Sequence, residues 1–400
     1  MKGTHMPIKT FKQIVDSISF DELISLHTQD AQINIAAFAR WIYMAHVGWH
    51  SFSPEIKNNF KHKITQLYNY PPEKELSKKL DEILITTLSD RHCSVRPGLT
   101  RSEEKNIPNK VIDRDPPTSV GKNIAFESEA NLHREKIQIL FQKMVGHKSS
   151  LPIIVAEKDG IGIFGISTSV TTKQDQDEIN EFFIKNSQHW KAVIIDMRGN
   201  SGGDSRTTDT IAKIIYGNPV PYCKTMQWRN TPEAKYVLIS RKNKQYKNLT
   251  DRQREHGFVD KIYASAHRRK MIDMSSSIYP FNPQKGFDKP VYILIDRHTA
   301  SSGEGILTQL RGHPLMTTIG EYSAGCGQYG NMGDISLPNG STLRLGTDYR
   351  TYDDGDIEGI GHKPDVLCSG KDAMSVCLNL ALKKSIALKR LSDVSREKDL

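Results

Sequence analysis

Residues 192–196, Ala-Val-Ile-Ile-Asp, and 291–295, Val-Tyr-Ile-Leu-Ile, are short apolar runs, each followed by a turn of small residues and then by a helix-like pattern. Runs this short and this rich in β-branched residues read as buried strands. A chain that repeats strand, tight turn and helix is constrained to an α/β architecture. In an open α/β sheet such turns gather at the carboxyl ends of the strands, where ligands bind.

The rest of the chain arranges itself around these two junctions. From Phe11 to about Leu88 apolar residues recur at helical spacing, which predicts a helical N-terminal region over 1–95. Residues 96–150 are polar and proline-spotted, then amphipathic, as a linker plus a helix would be. The segment 151–372 carries the α/β pattern, with a hairpin expected at Asp159-Gly160 and a helix over Asp175–Trp190. Residues 373–400 read as a final helix and a charged tail.

Charge and cysteine usage narrow the function classes. The net charge is +9, and residues 224–270 hold 13 Lys and Arg against 4 Asp and Glu, which accounts for all of it. Such a segment is able to meet an acidic partner, although a solvated helical insertion, taken here as 224–275, is the simpler reading. Five cysteines form no CxxC pair and no Cys/His set at zinc spacing, so neither a metal nor another cofactor is expected. No stretch approaches the roughly 18 apolar residues of a membrane span, and the N-terminus lacks the apolar centre of a signal peptide, so a cytoplasmic location is the default expectation. The sequence does not assign an oligomeric state.

The two turns are where chemistry is expected. The first, Gly199-Asn200-Ser201-Gly202-Gly203, bends freely and exposes backbone N–H groups to an anion, either a phosphate or a tetrahedral oxyanion. Neither GxxxxGK[ST] nor GxGxxG is present, which argues against a nucleotide. The second turn holds adjacent serines, Ser301 and Ser302, at a helix start. A serine that attacks a carbonyl needs a base, and the base an orienting partner. His92, His298 and His362 are the histidines to weigh for that part, and residue pattern alone does not choose among them.

Taken in order, the motifs resemble the C-terminal processing (tail-specific) serine protease family. The D-x-R-x-N-x-G-G loop is Asp196–Gly203, and the T-A-S-x-x-E turn is Thr299–Glu304. Gly320–Gly325, Leu337–Gly340 and the closing Gly361-His362-Lys363-Pro364-Asp365 follow, while L-x-D-x-H upstream is Leu88–His92. The resemblance runs over about residues 85–370 and implies a helical N-terminal region followed by an α/β core of the ClpP/crotonase-like type. Many members pair the serine with a lysine about 25 residues later. Here that position is Cys326, and no lysine occurs from Arg311 to Arg344. The tricorn-like branch uses serine, histidine and glutamate instead.

The resemblance to that branch implies Ser301 as nucleophile, with Ser302 the less favoured choice, His92 as general base and Glu358 as its orienting carboxylate. It also implies an oxyanion hole from the backbone N–H of Ser302 and one from Gly202 or Gly203. Peptides or proteins are the implied substrates. The interval between His92 and Leu151 is short for the PDZ domain many members carry, so none is expected. Cys93 and Cys326 beside the proposed site are read as packing residues. A catalytically silent peptide-binding homologue and an esterase or amidase are the competing readings.

Overall fold

The computed structural model describes residues 8–88, 90–97, 153–217, 220, 223–245, 271–273, 286–352, 355 and 357–382. The linker and helix expected at 96–150, most of the basic insertion, the charged tail and the interval that bears on a PDZ domain lie outside these residues.

In chain order the helices are α1 Phe11–Val15, α2 Phe20–Ser25, α3 Ala31–Ala45, α4 Pro54–Asn69, α5 Leu76–Leu88, α6 Lys173–Asn186, α7 Ser205–Tyr216, α8 Pro232–Gln245 and α9 Ser302–Leu310, with a further helix over 373–382. The strands are β1 Ser94–Arg96, β2 Ile153–Lys158, β3 Ile161–Ile166, β4 Ala192–Asp196, β5 Thr225–Arg229, β6 Met271–Asp273, β7 Val291–Ile295, β8 Met316–Gly320, β9 Tyr329–Gly330, β10 Gly333–Ser336, β11 Thr342–Leu345, β12 Asp348–Thr351 and β13 Val366–Leu367. They fall into two compact units. The first takes Met1–Asp115, Thr225–Ser276 and Gln328–Thr351; the second takes Pro116–Lys224, Ser277–Gly327 and Tyr352–Leu400.

The first unit is built on the N-terminal helices. Thr10 and Ser19 open α1 and α2 with reciprocal capping boxes to Gln13 and Glu22, Asp30 caps α3, and Ser53 caps α4 with Pro54 at its first position. The apolar faces of these helices close over Phe38, Trp41, Phe60, Ile64 and Leu84, all fully buried or nearly so. Each side chain of this size removed from water contributes about 1.5–3 kcal/mol before conformational entropy is counted. Two small antiparallel sheets, in the orders β1-β11-β10 and β6-β5-β12-β9, complete the unit. β1 begins two residues after His92 and pairs Ser94 with Arg344 and Val95 with Leu343, so the histidine sits at the mouth of a registered strand.

The second unit holds the six-stranded sheet β13-β8-β7-β4-β3-β2, parallel except for β2 at its edge. The β2–β3 hairpin turns at Asp159 and Gly160, both at positive φ, as a two-residue hairpin requires. The continuous apolar runs of β4 and β7 are covered on both faces. Val193, Ile195, Ile293 and Ile295 pack with residues of α6, α7 and α9, while Ile194, Tyr292 and Leu294 pack with Ala373, Met374 and Cys377. The helix expected at 175–190 begins earlier, at Lys173, because Thr172 caps it in a box with Asp175, and its last turn becomes 3₁₀ over Ser187–His189.

Candidate active site

Both sequence-predicted turns leave the carboxyl ends of adjacent parallel strands in the second unit, β4 at Asp196 and β7 at Ile295. Their shape is set by buried side chains that bond main chain. Arg198 grips Asp196 through two bonds, Nε to Oδ1 at 2.8 Å and Nη2 to Oδ2 at 2.6 Å, and donates Nη1 to the Gly370 carbonyl at 2.5 Å. Asp296 accepts the N–H of Gly199 and of His298, both at 3.0 Å. Asn200, fully buried, ties the turns together. Its Oδ1 accepts the Gly202 N–H at 2.9 Å, its Nδ2 donates to the Ile166 carbonyl at 3.0 Å, and its own carbonyl accepts the Ala300 N–H at 2.9 Å.

Ser301 stands at φ 52°, ψ −122°, in a region that side-chain-bearing residues rarely occupy. Helix α9 begins at the next residue. Main-chain oxygens engage the first N–H groups, Gly303 donating to Ala300 at 2.8 Å and Glu304 to Ser301 at 2.9 Å, and the Ser301 and Glu304 side chains stand in a capping-box arrangement. Gly202 approaches so closely that a Cβ on it would lie 2.7 Å from the Ser301 Cβ and 2.9 Å from the Ala300 carbonyl oxygen. With φ at +98°, that position admits glycine alone. The Ser302 hydroxyl is engaged, donating to the Gly203 carbonyl at 2.9 Å. The main-chain N–H groups of Ser302 and Gly203 have no acceptor among the described residues, whereas that of Gly202 is held by Asn200.

Glu304 has a larger part in this geometry than its place in the T-A-S-x-x-E motif suggests. Its carboxylate, 1% exposed, accepts the Ser301 N–H at 3.1 Å, the Ser323 hydroxyl at 2.6 Å, and the N–H groups of Gly325 and Cys326 at 2.8 and 2.9 Å. The loop so held then fixes the next one. The Gly325 carbonyl accepts the Gly359 N–H at 2.7 Å, which anchors the turn carrying the half-buried Glu358. Glu304 thus links the turn of Ser301 to the turn of Glu358 within one unit. Cys326 is fully buried in this scaffold.

His298 and His362, the other two histidines weighed from the sequence, lie in the second unit. His298 is 1% exposed, and its Nε2 lies 3.3 Å from the Arg297 Nε. His362 donates its main-chain N–H to Ser323 Oγ at 2.6 Å, and burial lowers its ring pKa.

His92 belongs to the first unit. Its imidazole is 3% exposed, and neither ring nitrogen makes a hydrogen bond to a described residue. Burial lowers its pKa from 6.5 to about 4; the nearby Asp90 carboxylate opposes that fall, Arg344 and Arg350 add to it, and Asp348 opposes it. The ring is therefore neutral at neutral pH, the state a proton acceptor requires. A stability effect follows with a definite sign. Between about pH 6.5 and 4 the unfolded chain binds a proton at His92 that the folded chain refuses, so stability is full above 6.5 and declines as pH falls through this window. The difference in unfolding free energy between wild type and His92→Gln is expected to shrink by about 3 kcal/mol from pH 7 to pH 4 in denaturant titrations. An unchanged difference would remove burial as the cause.

A model of peptidase family S41 matches residues 160–368, just over half of the chain and the part that carries both turns and the closing Gly361–Asp365 motif. The chain belongs to peptidase family S41. It is accordingly a serine-type peptidase, with a helical N-terminal region followed by a mixed α/β core. Among solved structures, a peptidase from Parabacteroides merdae aligns at TM-score 0.55 with 15% identity over 89% of this chain and 98% of its own. Mature CPAF, solved with lactacystin, aligns at 0.51 with 13% identity over 89% and 97%. The photosystem II D1 C-terminal processing protease aligns at 0.46 with 12% identity over 86% and 94%. At these identities the first two speak to the fold alone. No curated protein matches the chain.

Proposed function

We propose that this S41 peptidase is an endopeptidase that cleaves peptide bonds through an acyl-enzyme on Ser301, with His92 as general base and Glu358 as the carboxylate that orients it. The observation that carries the reading is the conformation of Ser301. A serine held at positive φ on a strand-to-helix turn, its main-chain N–H fixed by a buried carboxylate, is strain kept for a purpose.

In the reaction Ser301 Oγ adds to the peptide carbonyl as His92 takes its proton. The oxyanion is received by the N–H groups of Ser302 and Gly203, which have no acceptor among the described residues, at the positive end of α9. Gly202 serves by shape, since its N–H is given to Asn200. Collapse of the tetrahedral species expels the amine, which leaves with the proton from His92. Water then adds to the acyl carbonyl, again giving a proton to His92, and Ser301 recovers it as the acid product departs. Glu358 stabilises the imidazolium without itself being protonated.

The test is incubation with a library of internally quenched peptides beside a panel of short acyl esters. Cleavage at internal peptide bonds, unaffected by chelators because the mechanism uses only side chains and main-chain amides, is the expected result. Ester turnover with no peptide cleavage would replace this reading with an esterase.

A further inference from the structure

One cluster of ionisable side chains in the first unit is not used by the mechanism above: His46, Asp90 and Cys93, each at most 1% exposed. We propose that His46 is a positioning residue for the general base, its Nε2–H fixing the Asp90 carboxylate that in turn holds the main chain of His92. The proposal rests on the reading of His92 as that base.

The tautomer of His46 follows from its neighbours. The Gly48 N–H donates to His46 Nδ1 at 3.1 Å, so Nδ1 is an acceptor and the ring proton is on Nε2. Nε2 lies 3.0 Å from Asp90 Oδ2. The ring has no freedom to turn away. Phe52 and Tyr329 pack against it with centroids at 5.1 and 5.4 Å, and the His46 carbonyl accepts Arg229 Nη1 at 3.0 Å.

Asp90 relays this constraint. Its Oδ1 accepts the N–H groups of His92 at 2.8 Å and Cys93 at 3.2 Å, while Oδ2 also accepts the Cys93 thiol at 3.0 Å. The three side chains are thus joined through protons, which occupy the directions a cation would need. The carboxyl is held well below the usual carboxylate range; burial opposes this, and the hydrogen bonds from His46 and Cys93 act against burial. Since the His92 ring nitrogens make no bond to a described residue, the main chain that Asp90 holds fixes the position from which Glu358 orients the ring. The Asp90 carboxylate thus stands beside the residue that becomes an imidazolium during acylation.

The experiment compares His46→Phe, which keeps ring volume and loses the donor, with His46→Gln, which keeps a donor and loses the ring. Peptide turnover and fluorophosphonate labelling rates are measured with His92→Ala as a control. Positioning predicts that His46→Phe lowers kcat at least about tenfold with KM unchanged, and that His46→Gln stays within about threefold of wild type. A packing role predicts the opposite order, and that order, or wild-type kcat in His46→Phe, overturns the proposal. Wild-type labelling of His92→Ala would instead bring down the base assignment itself, an outcome distinct from the other two. Should His46→Phe not fold, ¹⁵N-histidine spectra of the wild-type protein decide. A His46 signal from the Nε2–H tautomer supports the proposal and one from the Nδ1–H tautomer overturns it.

Discussion

Ser301→Ala is expected to lower peptide hydrolysis by about 10⁴-fold or more while leaving the fold intact. No other hydroxyl in the turn is placed to take over. Ser302 is the nearest in sequence, yet its Oγ is spent on the Gly203 carbonyl and the residue is 8% exposed. The methyl of alanine fits wherever the serine Cβ fits, so stability should move by less than about 1 kcal/mol. Ser301→Gly separates activity from stability further. At φ 52° a glycine relieves the strain, so this variant should be as inactive as the alanine and more stable than wild type by about 0.5–1 kcal/mol. A strained residue whose removal stabilises the protein is the mark of a position kept for activity. Equal stability of the serine, alanine and glycine forms would mean that the turn carries no strain.

The second large effect is expected at Glu304. Its carboxylate accepts four hydrogen bonds from Ser301, Ser323, Gly325 and Cys326 with almost no solvent contact. Glu304→Gln nearly preserves size but replaces one acceptor oxygen with an amide that donates, so donors then face donors. Leaving such groups unpaired costs about 1–3 kcal/mol each, and a total loss of about 3 kcal/mol is expected in chemical denaturation. Activity should fall by about 100-fold, mainly in kcat, because the Ser301 turn and the turn of Glu358 lose their shared anchor. A Glu304→Gln variant with wild-type kcat would show that the Ser301 turn is held by other bonds.

The sequence makes the elements legible where one side chain suffices to announce them. Val291–Ile295 is apolar throughout because both faces of β7 are covered, and Asp159-Gly160 marks the β2–β3 hairpin. The two turns were legible for the same reason, since small residues and glycines have few other uses at a strand end. The supporting bonds were not. Glu304 acts on N–H groups 21 and 22 residues later, and a main-chain donor leaves no trace in residue type. His46 meets Asp90 across 44 residues, between helices and a loop that no periodicity connects. Of the two glycines offered for the oxyanion hole, only the hydrogen bond from Gly202 to Asn200 distinguishes them. The Ser-x-x-Glu spacing at 301–304 is that of a capping box, and the structure forms one there. What the sequence concealed is that the same carboxylate also reaches into the 323–326 loop.

The central claim is that Ser301 is an activated nucleophile, and intact-mass spectrometry with peptide mapping after fluorophosphonate treatment tests it most directly. The account predicts a single adduct on wild type, located on Ser301, and none on Ser301→Ala. An adduct on Ser302, an adduct that persists in Ser301→Ala, or no adduct on wild type under conditions where peptides are cleaved would contradict it.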